Sequence, residues 1–229
     1  NMMVKIRKYL TERGVYPTHL NTLINDPMEF YLRYIARIKV EDEMDDELGM
    51  DKIGLWLHAT LETLDQEFFL LIGEQQIMAF LTHQISEVKD RTAIAAEQEL
   101  DYHLPLTIHG ETLDIRLAGK IDRIELTLDN KLLVMDYKTG SVTMPGWSRK
   151  SSEEIDLEIM KSTDFKVGYA RQLWFYQLLM HLKIKSENGL RLGDRVYHAD
   201  QYSIEAAFYS FRKPTELIKN PYFISEDPE

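Results

Sequence analysis

Two charged residues close a run of apolar ones in the stretch LLVMDYKTG, residues 132–140. Asp136 and Lys138 are two apart, so on a strand they share a face while Tyr137 points the other way. Asp122, in AGKIDRIE, offers a second carboxylate, and AAEQEL offers Glu97 and Glu99. Gln172 and Tyr176, in YARQLWFYQ, lie four apart and share one side of a helix. His58, in GLWLH, falls within a helical pattern four residues before Glu62. Phosphodiester hydrolysis is a reaction that needs such a set, because a hard cation must screen the phosphate and activate water. Mg²⁺ takes oxygen ligands, usually one or two carboxylates, and keeps several waters. Asp122 and Asp136 would supply the carboxylates. The backbone carbonyl of Tyr137 can reach the same ion, and His58 suits Mn²⁺ and is tolerated beside Mg²⁺. Lys138 would orient or deprotonate the attacking water, or stabilise charge developing on phosphorus.

Each residue also has a bland reading. A lone histidine in an apolar helix is more often a satisfied core residue than a ligand. Asp122 and Arg123 could form an ordinary strand-end ion pair of little worth if exposed. Against that, an acid flanked by Ile121 and Ile124 needs a partner or a task. Gln172 and Tyr176 could simply pack a helix on a sheet, and Trp56, Trp174 and Phe175 read as core rather than as base-stacking platforms.

Several elements must position these groups. Residues 17–39 read as two short helices, with Asp26 as N-cap and Pro27 at the first helical position of the second. A long helix is expected over 52–72 and another over about 75–90. The period then changes to that of strands, over 94–103, 106–109, 113–118, 121–128 and 132–137. His109-Gly110, Ala118-Gly119 and Asp129-Asn130 are the turn signals between them. LLVMDY does not alternate and reads as a central strand covered on both faces. Residues 141–166 read as a long, mobile, polar loop with room for a short helix, 168–185 as a helix, and 196–211 as containing a last strand. Helices, a meander, a helix and a strand in this order give an α/β (α+β) chain: a central mixed sheet flanked by helices, with a helical N-terminal segment. With 229 residues and 44% hydrophobic content, a single domain over 1–229 is expected, helical over about 1–90 and with its sheet core over about 94–211. A start at Asn1 is compatible with a fragment of a longer protein.

The formal net charge is −11, which taken alone argues against a nucleic-acid binder. Its distribution is uneven. Residues 1–40 carry seven Lys and Arg against three acids, and residues 41–51 carry seven acids in eleven positions. The acidic run reads as a solvated connector. No apolar run approaches a membrane span. The chain has no cysteine, which excludes disulfides and Cys-ligated zinc or iron–sulfur clusters and fits a reducing cytoplasm.

GLWLH, GKIDRIE, DYKTG and QLWFY, in this order and spacing, resemble the PD-(D/E)XK nuclease superfamily in its RecB-like branch, and HLNTLINDPMEFYLRYI resembles that branch's opening helices. The resemblance runs from about residue 17 to 211. It implies a restriction-endonuclease-like core and a Mg²⁺- or Mn²⁺-dependent deoxyribonuclease, an exonuclease or a nuclease module beside a helicase, in DNA repair or recombination. It implies His58, Asp122, Asp136 and the Tyr137 carbonyl as metal ligands and Lys138 as the catalytic lysine. Gln172 and Tyr176 would contact the site or the DNA backbone, and Glu97 or Glu99, with Glu99 favoured, would fill an early acidic position. Some relatives hold an iron–sulfur cluster on cysteines; this chain has Asp26 where one could stand, and none elsewhere. Two other classes stay open: a nuclease-like module that only binds DNA or protein, and a hydrolase of another phosphoester.

Overall fold

The computed structural model describes residues 2–38, 78–79, 81–83, 90–147, 151–186, 188–210 and 217–219. The acidic run, the helix expected over 52–72, and His58 and Glu62 with it, lie outside the described residues.

The N-terminal part is helical. α1 (Met2–Lys8) runs into a π-helical turn, Tyr9–Arg13, which Gly14 ends at φ 93°. α2 (Pro17–Asn25) and α3 (Pro27–Phe30) meet at Asp26. The Asp26 Oδ1 accepts the backbone N–H groups of Met28 and Glu29, both at 2.9 Å, so it caps α3 as expected, with Pro27 at the first helical position. A second π turn, Tyr31–Ala36, follows, and Arg37 closes it in the left-handed conformation.

Five strands form the main sheet, in the order β1 (Arg91–Ile108), β2 (Glu111–Thr127), β3 (Lys131–Lys138), β6 (Ser203–Ser210) and β7 (Leu217–Lys219). β3 and β6 are parallel and the other pairs antiparallel, so the sheet is mixed. β4 (Leu190–Leu192) and β5 (Arg195–Tyr197) make a separate hairpin. The parallel pair requires a crossover. It contains α4 (Ser152–Lys161) and α5 (Phe165–Lys185).

β3 holds the third of five positions, and Leu132, Leu133, Val134 and Met135 are all buried, as an unbroken apolar run on a central strand should be. β1 and β2 are longer than the turn signals suggest. β1 runs through Pro105, which costs no ladder bond on an edge strand when its missing N–H faces outward. β2 runs through Gly119, where a turn is expected. The glycine answers to packing instead: a Cβ there would lie 3.0 Å from Cε1 of the Tyr176 ring and 3.4 Å from Leu179.

The described part of 141–166 is not a featureless loop. Ser151 and Glu154 form a capping box that starts α4. Ile155 and Ile159 of α4 pack with Trp147 and with Val167 and Ala170 of α5 in a small core of their own. α5 begins three residues earlier than expected because Asp164 caps it, accepting the Lys166 N–H at 2.9 Å. The larger core lies between α5 and one face of the sheet; Leu173, Tyr176, Leu179 and Met180 meet Ile121, Ile124, Leu132, Val134, Ala206 and Phe208. Arg171, 1% exposed, ties this layer together through neutral acceptors. It donates to the Ile159 carbonyl at 2.5 Å, the Ser162 carbonyl at 2.6 Å and Asn21 Oδ1 at 2.6 Å.

Candidate active site

The site lies where β2 and β3 part. Their ladder ends at Arg123 opposite Met135, and the next rung in that register would set Asp122 against Asp136. No rung forms. The Asp122 Oδ2 instead accepts the backbone N–H of Tyr137 at 2.7 Å. β2 is irregular at this point. Ile115, Leu117 and Ile121 are odd-numbered, Ile124 and Leu126 even-numbered, yet all five join the α5-side core. The alternation therefore slips by one residue between Ile121 and Ile124, which brings Asp122 to the α5 side. Across the ladder, pairing skips from Ala96–Arg123 to Gln98–Ile121, and Glu97, left between them, has φ 50°. The β1–β2 register itself shifts close by, between Ala93 and Ala95, an irregularity of the kind that re-aims side chains next to a site.

On β3, Asp136 and Lys138 share the α5 face, as their spacing requires. The Lys138 Nζ stands 2.7 Å from Asp136 Oδ2 and donates to Gln172 Oε1 at 3.1 Å. Gln172 Nε2 donates to Asp136 Oδ1 at 2.8 Å and lies 3.4 Å from the Tyr176 hydroxyl. One amide thus bridges the acid and the amine, and this pattern fixes which end of the Gln172 side chain is oxygen. Tyr169, on the same side of α5, packs edge-on against Phe208, whose ring lies 5.1 Å from the Lys138 Nζ. The Tyr137 side chain points to the opposite face, 6.3 Å from the Tyr209 ring.

Electrostatics mark the same residues. Burial pushes the Asp136 carboxyl above the ordinary aspartate range; Lys138 pulls it partly back, and Asp122 adds a further push upward. Burial raises the Tyr176 phenol to about 12, so it remains protonated at neutral pH. The Asp136 Oδ2 is buried and stands against the Lys138 ammonium at 2.7 Å. A buried carboxylate oxygen in that state fits a cation ligand. In an extended strand the N–H and C=O of one residue leave on the same edge. Tyr137, whose N–H reaches Asp122, therefore sends its carbonyl to the Asp122 side as well. Two carboxylates and a carbonyl form an oxygen-rich set of the kind Mg²⁺ or Mn²⁺ accepts. Among the described residues no three His, Asp or Glu side chains are placed to share one metal ion.

The structure thus brings together Asp122, Asp136, Tyr137, Lys138, Gln172 and Tyr176. It does not bring Glu99 to them. Leu100 enters the α5-side core, so its neighbour Glu99 points away from that face and is exposed opposite Lys120. Glu97 pairs with the Lys120 Nζ at 2.5 Å. The ordinary ion pair considered for Asp122 and Arg123 is replaced by another: Arg123 pairs with Glu125 at 2.7 Å.

A model of the PD-(D/E)XK nuclease superfamily matches residues 16–217. The chain belongs to this superfamily. The mixed sheet flanked by helices is its restriction-endonuclease-like fold, and the match takes in every site residue named above. The superfamily is one of nucleases, and these generally use divalent metals such as Mg²⁺. Uncharacterized proteins of Rickettsia bellii and Rickettsia felis are each 26% identical to the chain, over 157 and 161 residues. The matches take in 55% of this chain and 18% of each relative, so the chain spans under a fifth of the relatives' length. The crystal structure of SSO0001 aligns with all of this chain and 77% of its own, at 12% identity and a TM-score of 0.36. No described helix is long and apolar enough to cross a membrane.

Proposed function

We propose that the chain is a Mg²⁺- or Mn²⁺-dependent deoxyribonuclease of the RecB-like branch, an exonuclease that works beside a helicase in DNA repair or recombination. The observation that carries this reading is the set of contacts joining Asp136, Lys138 and Gln172 beside Asp122. A binding module has no use for a buried carboxylate held against an ammonium at the mouth of a sheet.

Asp122, Asp136 and the Tyr137 carbonyl would hold the cation, with His58 as a further ligand. When bound there, a divalent ion supplies Lewis acidity, screening the phosphate and acidifying water. The protein's own groups do the rest. Lys138 presents its ammonium to the attacking water or to the charge that develops on phosphorus. Gln172 holds that ammonium and Asp136 in one geometry. Tyr176 stays protonated and acts through hydrogen bonds, not as a base.

A second reading is a nuclease-like module that binds DNA or protein without cleaving it; the net charge of −11, which weighs against a strong grip on DNA, favours its protein-binding form. Incubation of the chain with linear DNA and Mn²⁺ separates the two. Cleavage that EDTA stops and Lys138→Ala abolishes supports the nuclease; metal-independent binding with no cleavage supports the module.

A further inference from the structure

A buried acid, Glu125, lies between two arginines beneath the site, on the sheet face opposite α5. Arg123 faces Met135 and Glu125 faces Leu133 across the β2–β3 ladder. Leu133 and Met135 form an apolar cluster there with Ala207. In this setting Glu125 is 2% exposed. Its Oε1 lies 2.7 Å from an Arg123 terminal nitrogen and its Oε2 3.3 Å from the Arg91 Nε. A buried ion pair is poor evidence for stability, because desolvation offsets the attraction and apolar residues would often serve as well. Its retention asks for another reason.

The register suggests one. Tyr137 follows Met135 by two residues, so it lies on the same face and diagonal to Arg123, within reach of a long side chain. Burial raises the Tyr137 phenol, and the positive charge of Arg123, set diagonal to it by the register, offsets part of that rise. The backbone of that same tyrosine donates to Asp122 and turns its carbonyl toward the cation position. Glu125, Arg123 and the Tyr137 ring thus form a continuous line from the far face of the sheet to the ligands on the near face.

We infer that Glu125 is a positioning residue: through Arg123 it fixes Tyr137, and with it Asp122 and the Tyr137 carbonyl, for the cation. This rests on the metal-site reading above. The side chains on this line lie on the sheet face opposite α5, so their effect is on the geometry of the groups that would hold the ion.

The test is calorimetric titration of Mn²⁺ into the metal-free chain without DNA, paired with thermal melts. The variants are Glu125→Gln, Tyr137→Phe, their double, and Asp136→Asn as control. Changes in groups that orient metal ligands typically weaken affinity about 10–100-fold. Glu125→Gln and Tyr137→Phe are each expected to weaken Mn²⁺ binding within that range, and the double variant no more than the weaker single, since they act along one line. A lowered melting temperature with unchanged Mn²⁺ affinity would assign Glu125 to structure alone and overturn the inference. So would fully additive losses. If wild type and Asp136→Asn bind Mn²⁺ equally, or neither binds it, the metal-site reading itself fails, an outcome distinct from the other two.

Discussion

The carboxylate of Asp122 takes the place of a missing ladder bond by accepting the backbone N–H of Tyr137 at 2.7 Å. The two strands can therefore separate without orphaning that donor. This gives Asp122 two separable duties, one structural and one electrostatic. Asp122→Asn keeps a carbonyl oxygen able to accept, so its unfolding free energy should stay close to wild type while cleavage is lost. Asp122→Ala leaves the Tyr137 N–H unpaired and should lose about 1–3 kcal/mol as well. Urea unfolding of the two variants, alongside a cleavage assay, checks this.

Asp136 should show the opposite sign in stability. Burial raises its carboxyl in the folded state, so folding favours its protonated form. Its contribution is fully present below the unfolded pKa and is lost as pH rises through the higher folded one. Asp136→Asn removes that loss. In EDTA the variant should melt above wild type at pH 7–8, and the difference should shrink as pH falls toward the ordinary aspartate value of about 4. Melts across pH 4–8 read this directly, and a gap that widens toward acid would contradict it. Added Mn²⁺ should reverse the order at neutral pH by stabilising wild type alone.

Gln172 joins Asp136 and Lys138 through both ends of one amide. Gln172→Leu keeps similar bulk and removes both contacts. Cleavage should fall on the order of 10–100-fold, the range for partners that orient ligands. The melting temperature should move by only a few degrees. Gln172→Glu sets a third carboxylate beside Asp136 and should fall further, because it repels Asp136 and traps Lys138.

At Gly119 the constraint is steric. An alanine Cβ would meet the Tyr176 ring at 3.0 Å. Gly119→Ala should cost about 1–3 kcal/mol through overpacking. It should also depress cleavage, because Tyr176 and Gln172 ride on the same side of α5. Gly119→Ala combined with Tyr176→Leu should recover part of the stability and none of the cleavage.

How much of this was legible in the sequence depends on the range of the interaction. The convergence of Asp136 and Lys138 follows from the two-residue period of a strand, and that of Gln172 and Tyr176 from the helical turn; both patterns are local. The central place of β3 could be read from its unbroken apolar run. The length of β1 and β2 could not, because a proline or a glycine breaks a strand or passes through it according to which edge or ring it faces. Strand phase favours Glu99, and phase is what fails there: the register shift between Ala93 and Ala95 and the left-handed Glu97 at φ 50° show only once β1 and β2 are paired. Arg171 gave no signal at all, since two of its three acceptors are backbone carbonyls. The line from Glu125 to Tyr137 needs the β2–β3 register, which no single segment contains.

The most direct test of the central claim is a cleavage assay on linear single- and double-stranded DNA with Mn²⁺, comparing wild type with Asp136→Ala. Wild type should degrade the DNA, EDTA should stop it, and Asp136→Ala should show no activity despite a cooperative thermal melt. Robust cleavage by Asp136→Ala would contradict the assignment of the site.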